Sequence, residues 1–268
     1  MTILILGGAG RTGARIHQRL TSRGVPTQLA SRQTGFDWNQ PETWSLAFQG
    51  ISAAYVCYSP DLAFPGVSEK MDLVGLLAAR SGLERLVLLS GRGEEGARAS
   101  EDALRAGGVP TTVLRCSWFQ QNFSEHFFTG PVRRGRLQLP APDRPEAFVD
   151  LDDVADAAVL ALQRTAPEDA TYELTGPELL TFTDVAALLS QACGRNVVLE
   201  VVDVPTFVAD LATDGIPAEE AEPLGHLFTE ILDGRNASLG DGIEHLLGRP
   251  ASSFRSYARA AAKTGVWA

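Results

Sequence analysis

The chain has 268 residues, 44% of them hydrophobic, and a formal net charge of −10. That length can bury one large core, or a main domain with a smaller appendage, and the second is expected here. The acidic balance disfavours nucleic acid and anionic membrane surfaces as partners, and no basic stretch or helix-turn-helix pattern is visible. No apolar run reaches the length of a bilayer and the amino terminus reads as a core strand rather than a charged leader, so a cytoplasmic protein is expected. Cys57, Cys116 and Cys193 are odd in number and widely spaced, without CxxC, which suggests neither a disulfide frame nor a zinc site.

Thr2 to Leu6 is a short apolar run of strand-forming type. It leads into Gly7-Gly8-Ala9-Gly10-Arg11-Thr12-Gly13, and the amphipathic segment Ala14 to Leu20 follows. Strand, glycine turn and helix in that order form a phosphate-binding device. The first glycine lets the chain double back, the second lets backbone approach a pyrophosphate, and the third lets the helix pack closely. N–H groups at the helix start then face an anion. The spacing GxxGxxG is the variant of short-chain dehydrogenase/reductases.

Thr27 to Ser31 reads as the second strand. A carboxylate about twenty residues after the glycine turn would bind a ribose 2′-hydroxyl; Ser31 and Arg32 stand there instead. A hydroxyl and a guanidinium suit a 2′-phosphate, so the cofactor expected is NADP(H), with Arg11 able to assist. Phe36-Asp37-Trp38 is expected to end a short third strand. Asp37 could accept from an adenine amino group or cap the helix that follows, with Pro41 in its first turn.

Ala53 to Tyr58 is a near-continuous apolar strand, as in a parallel sheet covered on both faces. It ends at Ser59-Pro60, at the carboxyl edge where ligands sit in open α/β sheets. Glu69 to Ser81 reads as a helix, Leu86 to Ser90 as a strand followed by a Gly91-Arg92-Gly93 loop, and Ser100 as the opening of the next helix. Thr111 to Arg115 is a further strand. The alternation implies right-handed βαβ crossovers.

After Cys116 the composition changes. Trp118, Phe119, Asn122, Phe123 and Phe127 sit just beyond a sheet strand and are read as a substrate wall, with plain core packing as the competing reading. Ala147 to Asp150 is expected to be a short returning strand, and Asp152 or Asp153 to cap a helix from Val154 to Leu162. Capping and a solvated face explain the carboxylates Asp150, Asp152, Asp153 and Asp156 better than a metal. Tyr172 to Gly176 is a strand and turn, Thr181 caps a helix from Phe182 to Cys193, and Val197 to Val202 is a strand. Beyond Pro205 the chain reads as mostly helical, broken at Gly215, Pro217, Gly234 and Pro250. The fold class is α/β: a Rossmann-type doubly wound parallel sheet, with residues 1–150 as its NADP-binding domain. Residues 151–268 return a helix and a strand to it and then form a smaller, mostly helical subdomain.

These pieces resemble the NmrA-like branch of the atypical short-chain dehydrogenase/reductases. The likeness rests on GGAGRTG at 7–13, FDW with PETW at 36–44, the VLLS strand end at 87–90, LRCSWFQQNFSE at 114–125, FVDLDDVAD at 148–156 and YELTGPELLTF at 172–182. It implies Gly7, Gly10, Arg11, Thr12 and Gly13 at the phosphates, Arg32 at the 2′-phosphate and Asp37 near adenine. Tyr58, Ser59, Pro60, Ser90 and Gly91 would line the nicotinamide side, with a substrate cleft between domain and subdomain. Members reduce quinones, dyes, aromatic ethers or ergot-type iminium ions; others are NADP sensors acting through a protein partner.

The chain departs from the wider superfamily in its proton donor. No tyrosine is followed four residues later by lysine, and Ala97, beside Arg98, stands where many members keep a lysine. Arginine holds its proton too tightly to serve. Of the two lysines, Lys70 and Lys263, neither is expected nearby; Tyr58 remains a weak candidate acid and His126 a weaker one. The reaction expected is hydride transfer from NADPH to a small apolar or aromatic substrate of iminium, quinone or enone type. A sensor without turnover is the alternative.

Overall fold

The computed structural model describes residues 2–140, 143–164 and 169–268. In chain order the elements are β1 (Ile3–Leu6), α1 (Arg11–Ser22), β2 (Thr27–Ala30), α2 (Trp44–Ala47), β3 (Ala53–Val56), α3 (Val67–Arg80), β4 (Arg85–Gly91), α4 (Glu95–Ala106) and β5 (Thr111–Cys116). There follow α5 (Thr129–Arg134), β6 (Arg136–Leu139), α6 (Leu151–Gln163), β7 (Ala170–Leu174), α7 (Phe182–Cys193) and β8 (Val198–Val201). The chain ends with α8 (Val204–Thr213), α9 (Ala218–Ile231), α10 (Gly242–Leu247) and α11 (Phe254–Lys263). No helix among the described residues is long and apolar enough to cross a membrane.

Two compact units result. One contains Met1–Cys116, Leu151–Leu174 and Gly240–Pro250; the other contains Ser117–Asp150, Thr175–Leu239 and Ala251–Ala268. The first unit takes back α6, β7 and α10 from later in the chain, because its sheet and the helices that cover it need them to bury their apolar faces.

The first unit is built on a parallel sheet of order β2-β1-β3-β4-β5-β7. Ile3 lies opposite Thr27 on one side and Ala53 on the other, and Leu6 opposite Ala30 and Val56. β1 and β3 are buried throughout, as strands covered on both faces must be. Leu4, Leu6, Ala54, Val56, Leu86 and Leu88 pack on one face against Trp44 of α2, Met71 and Val74 of α3 and Leu104 of α4. On the other face α1 packs with α6. Strand order reverses at β1, since the chain adds β2 on one side and later strands on the other. This reversal sets a crevice at the carboxyl ends of β1 and β3, where open α/β sheets bind ligands.

Several expectations about elements need correction. Residues 36–38 form no strand. A 3₁₀ turn, Arg32–Thr34, and the left-handed Gly35 (φ 86°) end the extended run, and Phe36 and Trp38 turn inward to ring contacts with Trp44. The helix expected to open at Ser100 begins five residues earlier, at Glu95. Gly96 is helical, and a Cβ there would lie 3.0 Å from the Cα of Ala63. Ser100 is buried inside α4 and donates its hydroxyl to the Leu62 carbonyl at 2.9 Å. Helix α6 starts at Leu151, so Asp152 and Asp153 lie in its first turn. There Asp152 pairs with Arg19, Asp153 with Arg249, and Asp156 with both.

The second unit is organised by aromatic side chains. Phe123, Phe128, Phe148, Phe182, Phe228 and Phe254 share one core. A two-stranded parallel sheet, β6 with β8, lies in the same unit. Residues 147–150 do not make the expected strand; the extended chain there contributes only isolated bridges, Val149 to Phe119 and Glu146 to Leu180.

Candidate functional site

The glycine turn joins β1 to α1 in the geometry its spacing predicts. Gly7 has φ 80°, a left-handed value that an L side chain rarely adopts. A Cβ on Gly13 would overlap the Gly7 carbonyl oxygen and stand 2.9 Å from the Gly8 Cα, so only glycine lets α1 press this closely on the turn. Gly10 occupies the N-cap of α1 without a side-chain cap, and no acidic residue sits in the first turn. The positive end of the helix dipole is therefore not offset by a carboxylate in that turn, the condition under which a helix start binds phosphate. Thr12 is buried. Burial pushes the Cys57 thiol up, so it keeps its proton at neutral pH.

At the end of β2, Ser31 starts the 3₁₀ turn and its N–H donates to Thr34 Oγ1 at 2.9 Å. Arg32 is exposed. Asp37 is half-buried; its carboxylate accepts from the Asn39 N–H at 2.9 Å, and its carbonyl accepts from Trp44 Nε1 at 2.7 Å. The carboxylate thus closes a turn ahead of the 3₁₀ helix Pro41–Thr43, whose N-cap is Gln40 without a side-chain cap, so Asp37 does not cap that helix.

At the end of β3 the structure assembles a pair that residue spacing had hidden. Lys70 of α3 donates to the Tyr58 hydroxyl at 2.9 Å and to Asn39 Oδ1 at 3.0 Å. Sequence spacing had placed no lysine beside Tyr58. The two are twelve residues apart because a loop and the first turn of a helix, rather than one helical turn, bring them together. The Tyr58 ring also packs on Trp38, with centroids 5.1 Å apart. Ser59 and Pro60 follow at the same edge, joined by a cis peptide bond.

At the end of β4 the expected site residues are held from beneath. The Ser90 hydroxyl donates to Glu101 Oε1 at 2.6 Å, and Arg115 grips the same carboxylate through Nη2 at 2.6 Å and Nε at 2.9 Å. Glu101 is fully buried, so its charge depends on that pairing. The Ser90 proton is thereby committed to α4. Glu94 lies over Gly91, where a Cβ would be 2.6 Å from its carboxyl carbon. Asp61, which follows the Ser59-Pro60 edge, accepts from the Ala63 N–H at 2.8 Å. Burial pushes the Asp61 carboxyl above its ordinary value. Ala97 is buried in the first turn of α4, a position that sequence reasoning had put in a loop.

The aromatic segment after β5 divides by role. Phe123 and Phe127 are 1% and 5% exposed and belong to the core of the second unit, Phe123 stacking on Phe128 at 5.0 Å. Asn122 is buried in the 3₁₀ turn Gln120–Phe123. Core packing therefore claims these three. Trp118 and Phe119 keep part of their surface exposed, and Trp118 lies flat on Phe228, 4.5 Å apart with 4° between planes. His126 is exposed, edge-on to Phe127.

The NmrA-like family model matches residues 99–257. Agroclavine dehydrogenase of Claviceps fusiformis is 30% identical, covering 96% of this chain and 96% of its own. Triphenylmethane reductase of a Citrobacter species, solved in complex with NADP(H), superposes with a TM-score of 0.80 at 21% identity over 97% of this chain and 100% of its own. An NADPH-dependent quinone oxidoreductase of Escherichia coli, complexed with NADPH, gives 0.77 at 20% identity over 96% and 99%. The family match covers more than half of the sequence and the similarity to a dehydrogenase runs nearly end to end, so the chain belongs to the NmrA-like family.

Proposed function

We propose that this oxidoreductase is an NADPH-dependent reductase of a small, largely apolar or aromatic compound. The observation that carries the reading is the turn from Gly7 to Gly13, with its left-handed first glycine, its sterically required third glycine and a helix start without acidic residues. Gly10, Arg11 and Thr12 hold the pyrophosphate there, and Ser31 with Arg32 takes the 2′-phosphate. Charge-assisted hydrogen bonds to that phosphate favour NADPH over NADH. When bound, the cofactor supplies a hydride. Ser59, Pro60 and Gly91 would position its reactive end at the carboxyl edge, and positioning of this kind is worth several orders of magnitude in rate.

The substrate class follows from chemistry as well as kinship. Ser90 spends its proton on Glu101, and the tyrosine and lysine that do meet, Tyr58 and Lys70, are tied through Asn39 to the loop after β2 rather than spaced four residues apart. An iminium ion or cationic dye needs no proton to complete its reduction, and a quinone or enone leaves an anion that water can protonate. Names among the relatives point the same way: an agroclavine dehydrogenase, a triphenylmethane reductase and a quinone oxidoreductase. Trp118 and Phe119 offer aromatic faces suited to flat or cationic compounds.

The test is loss of NADPH absorbance across a panel of iminium ions, triphenylmethane dyes, quinones, enones and simple ketones. Turnover is expected with members of the first four classes and little with ketones. Inactivity across the whole panel, alongside tight NADPH binding, would overturn the reductase reading.

A further inference from the structure

We propose that Lys70 is a specificity-determining residue of the cofactor site, its ammonium group binding the 2′-phosphate of NADP(H) together with the guanidinium of Arg32. This rests on the NADPH reading above and assigns a residue that neither the glycine motif nor the end of β2 contains.

Three observations lead to it. First, Lys70 is held by neutral groups, the Tyr58 hydroxyl at 2.9 Å and Asn39 Oδ1 at 3.0 Å, and no carboxylate pairs with it among the described residues. An ammonium has three donors, so two fix its position and one remains. In a chain with 33 acidic and 23 basic residues, a half-buried cation held only by neutral acceptors is conspicuous, because carboxylates that could compensate it are abundant.

Second, the contacts point Lys70 to the adenosine side of the crevice. Asn39 lies in the loop that continues from Ser31 and Arg32, and Trp38 of that loop packs on Tyr58 at 5.1 Å. Lys70 thus ties α3 to the loop after β2, whereas the pyrophosphate seat is at the start of α1. In this architecture the 2′ position of the adenosine ribose is read at the end of β2.

Third, the loop is made rigid around it. The Trp38 ring meets Phe36 edge-on at 4.9 Å and Trp44 at 5.5 Å, and Asp37 closes the adjacent turn through the Asn39 N–H. A pre-positioned ammonium loses less freedom on binding an anion than a swinging surface lysine does.

Calorimetric titration with adenosine 2′,5′-bisphosphate and with adenosine 5′-monophosphate tests the assignment without turnover. Lys70→Gln is expected to weaken the bisphosphate roughly tenfold to a hundredfold while changing the monophosphate about twofold or less. Lys70→Arg, which keeps the charge, is expected to recover most of the loss. Parallel weakening of both nucleotides by Lys70→Gln, or no change in either, would overturn the proposal. So would unchanged affinities with a fall in turnover, which would assign the Tyr58 and Lys70 pair to proton transfer. Failure of the wild-type protein to bind the bisphosphate would remove the cofactor reading itself, a different outcome.

Discussion

Gly13 shows how steric and propensity effects compete at a single position. It lies within α1, where alanine is favoured over glycine by up to about 1 kcal/mol. Its missing Cβ, however, would overlap the Gly7 carbonyl oxygen and crowd the Gly8 Cα at 2.9 Å, and neither backbone atom can yield without moving the turn. Overpacking of this kind costs roughly 1–3 kcal/mol, so the clash wins. Gly13→Ala is expected to lower the thermal midpoint and to weaken NADPH at least about tenfold, measured by titration. An alanine variant of unchanged affinity would show that the helix does not need this close approach. The glycine pattern was legible because its physical demand is local. Lys70 was not, since nothing in its own neighbourhood announces Tyr58 or Asn39; the only available signal was that lysine is so scarce in this chain. Ser90 was expected to face the cofactor, but its hydroxyl is claimed by Glu101, eleven residues on in α4, a partner that strand patterning does not reveal.

Among the elements, α7 was the most legible. Thr181 accepts from the Asp184 N–H at 3.1 Å while the Asp184 carboxylate accepts from the Thr181 N–H at 2.9 Å, a reciprocal cap written in neighbouring residues. Thr181→Ala is expected to destabilise the protein by about 1 kcal/mol, read as a lower urea midpoint. The Thr181 hydroxyl, which donates to Asp184 Oδ2 at 2.7 Å, and then the Thr181 N–H hold the Asp184 carboxyl below its ordinary value. A depressed folded value contributes stability that is present above the unfolded carboxylate range and is lost as pH falls through the folded value, so the penalty of Thr181→Ala should shrink in acid. An equal penalty at neutral pH and at pH 2 would contradict that origin. Other elements were misread where a tertiary contact overrides local preference. Gly96 is tolerated inside α4 because Ala63 lies against it, and Phe36 leaves the sheet because Trp38 and Trp44 draw it inward. The segment Arg136–Leu139 was missed because four residues between a left-handed glycine and a proline give too short a pattern to register.

At the scale of the molecule, the alternation of strand and helix up to residue 115 was enough to anticipate a parallel sheet with its ligand edge at the carboxyl ends. The return of residues 240–250 to the first unit was not legible. Residues 240–250 rejoin the first unit through a six-residue helix, and Gly240 and Gly242 approach the Glu173 carbonyl so closely that a Cβ on either would be 2.6 Å away. Such a contact joins positions about seventy residues apart and leaves no periodic trace. Kinship to the NmrA-like family is consistent with the oxidoreductase reading, and the carboxyl edge of the first unit gives that reading its physical content. The most direct test is a paired titration of the protein with NADPH and NADH, repeated with Arg32→Ala. NADPH is expected to bind at least about tenfold more tightly than NADH, and the substitution to remove most of that difference while leaving NADH nearly unchanged. Absence of NADPH binding, or equal affinity for the two cofactors in the wild-type protein, would contradict the account.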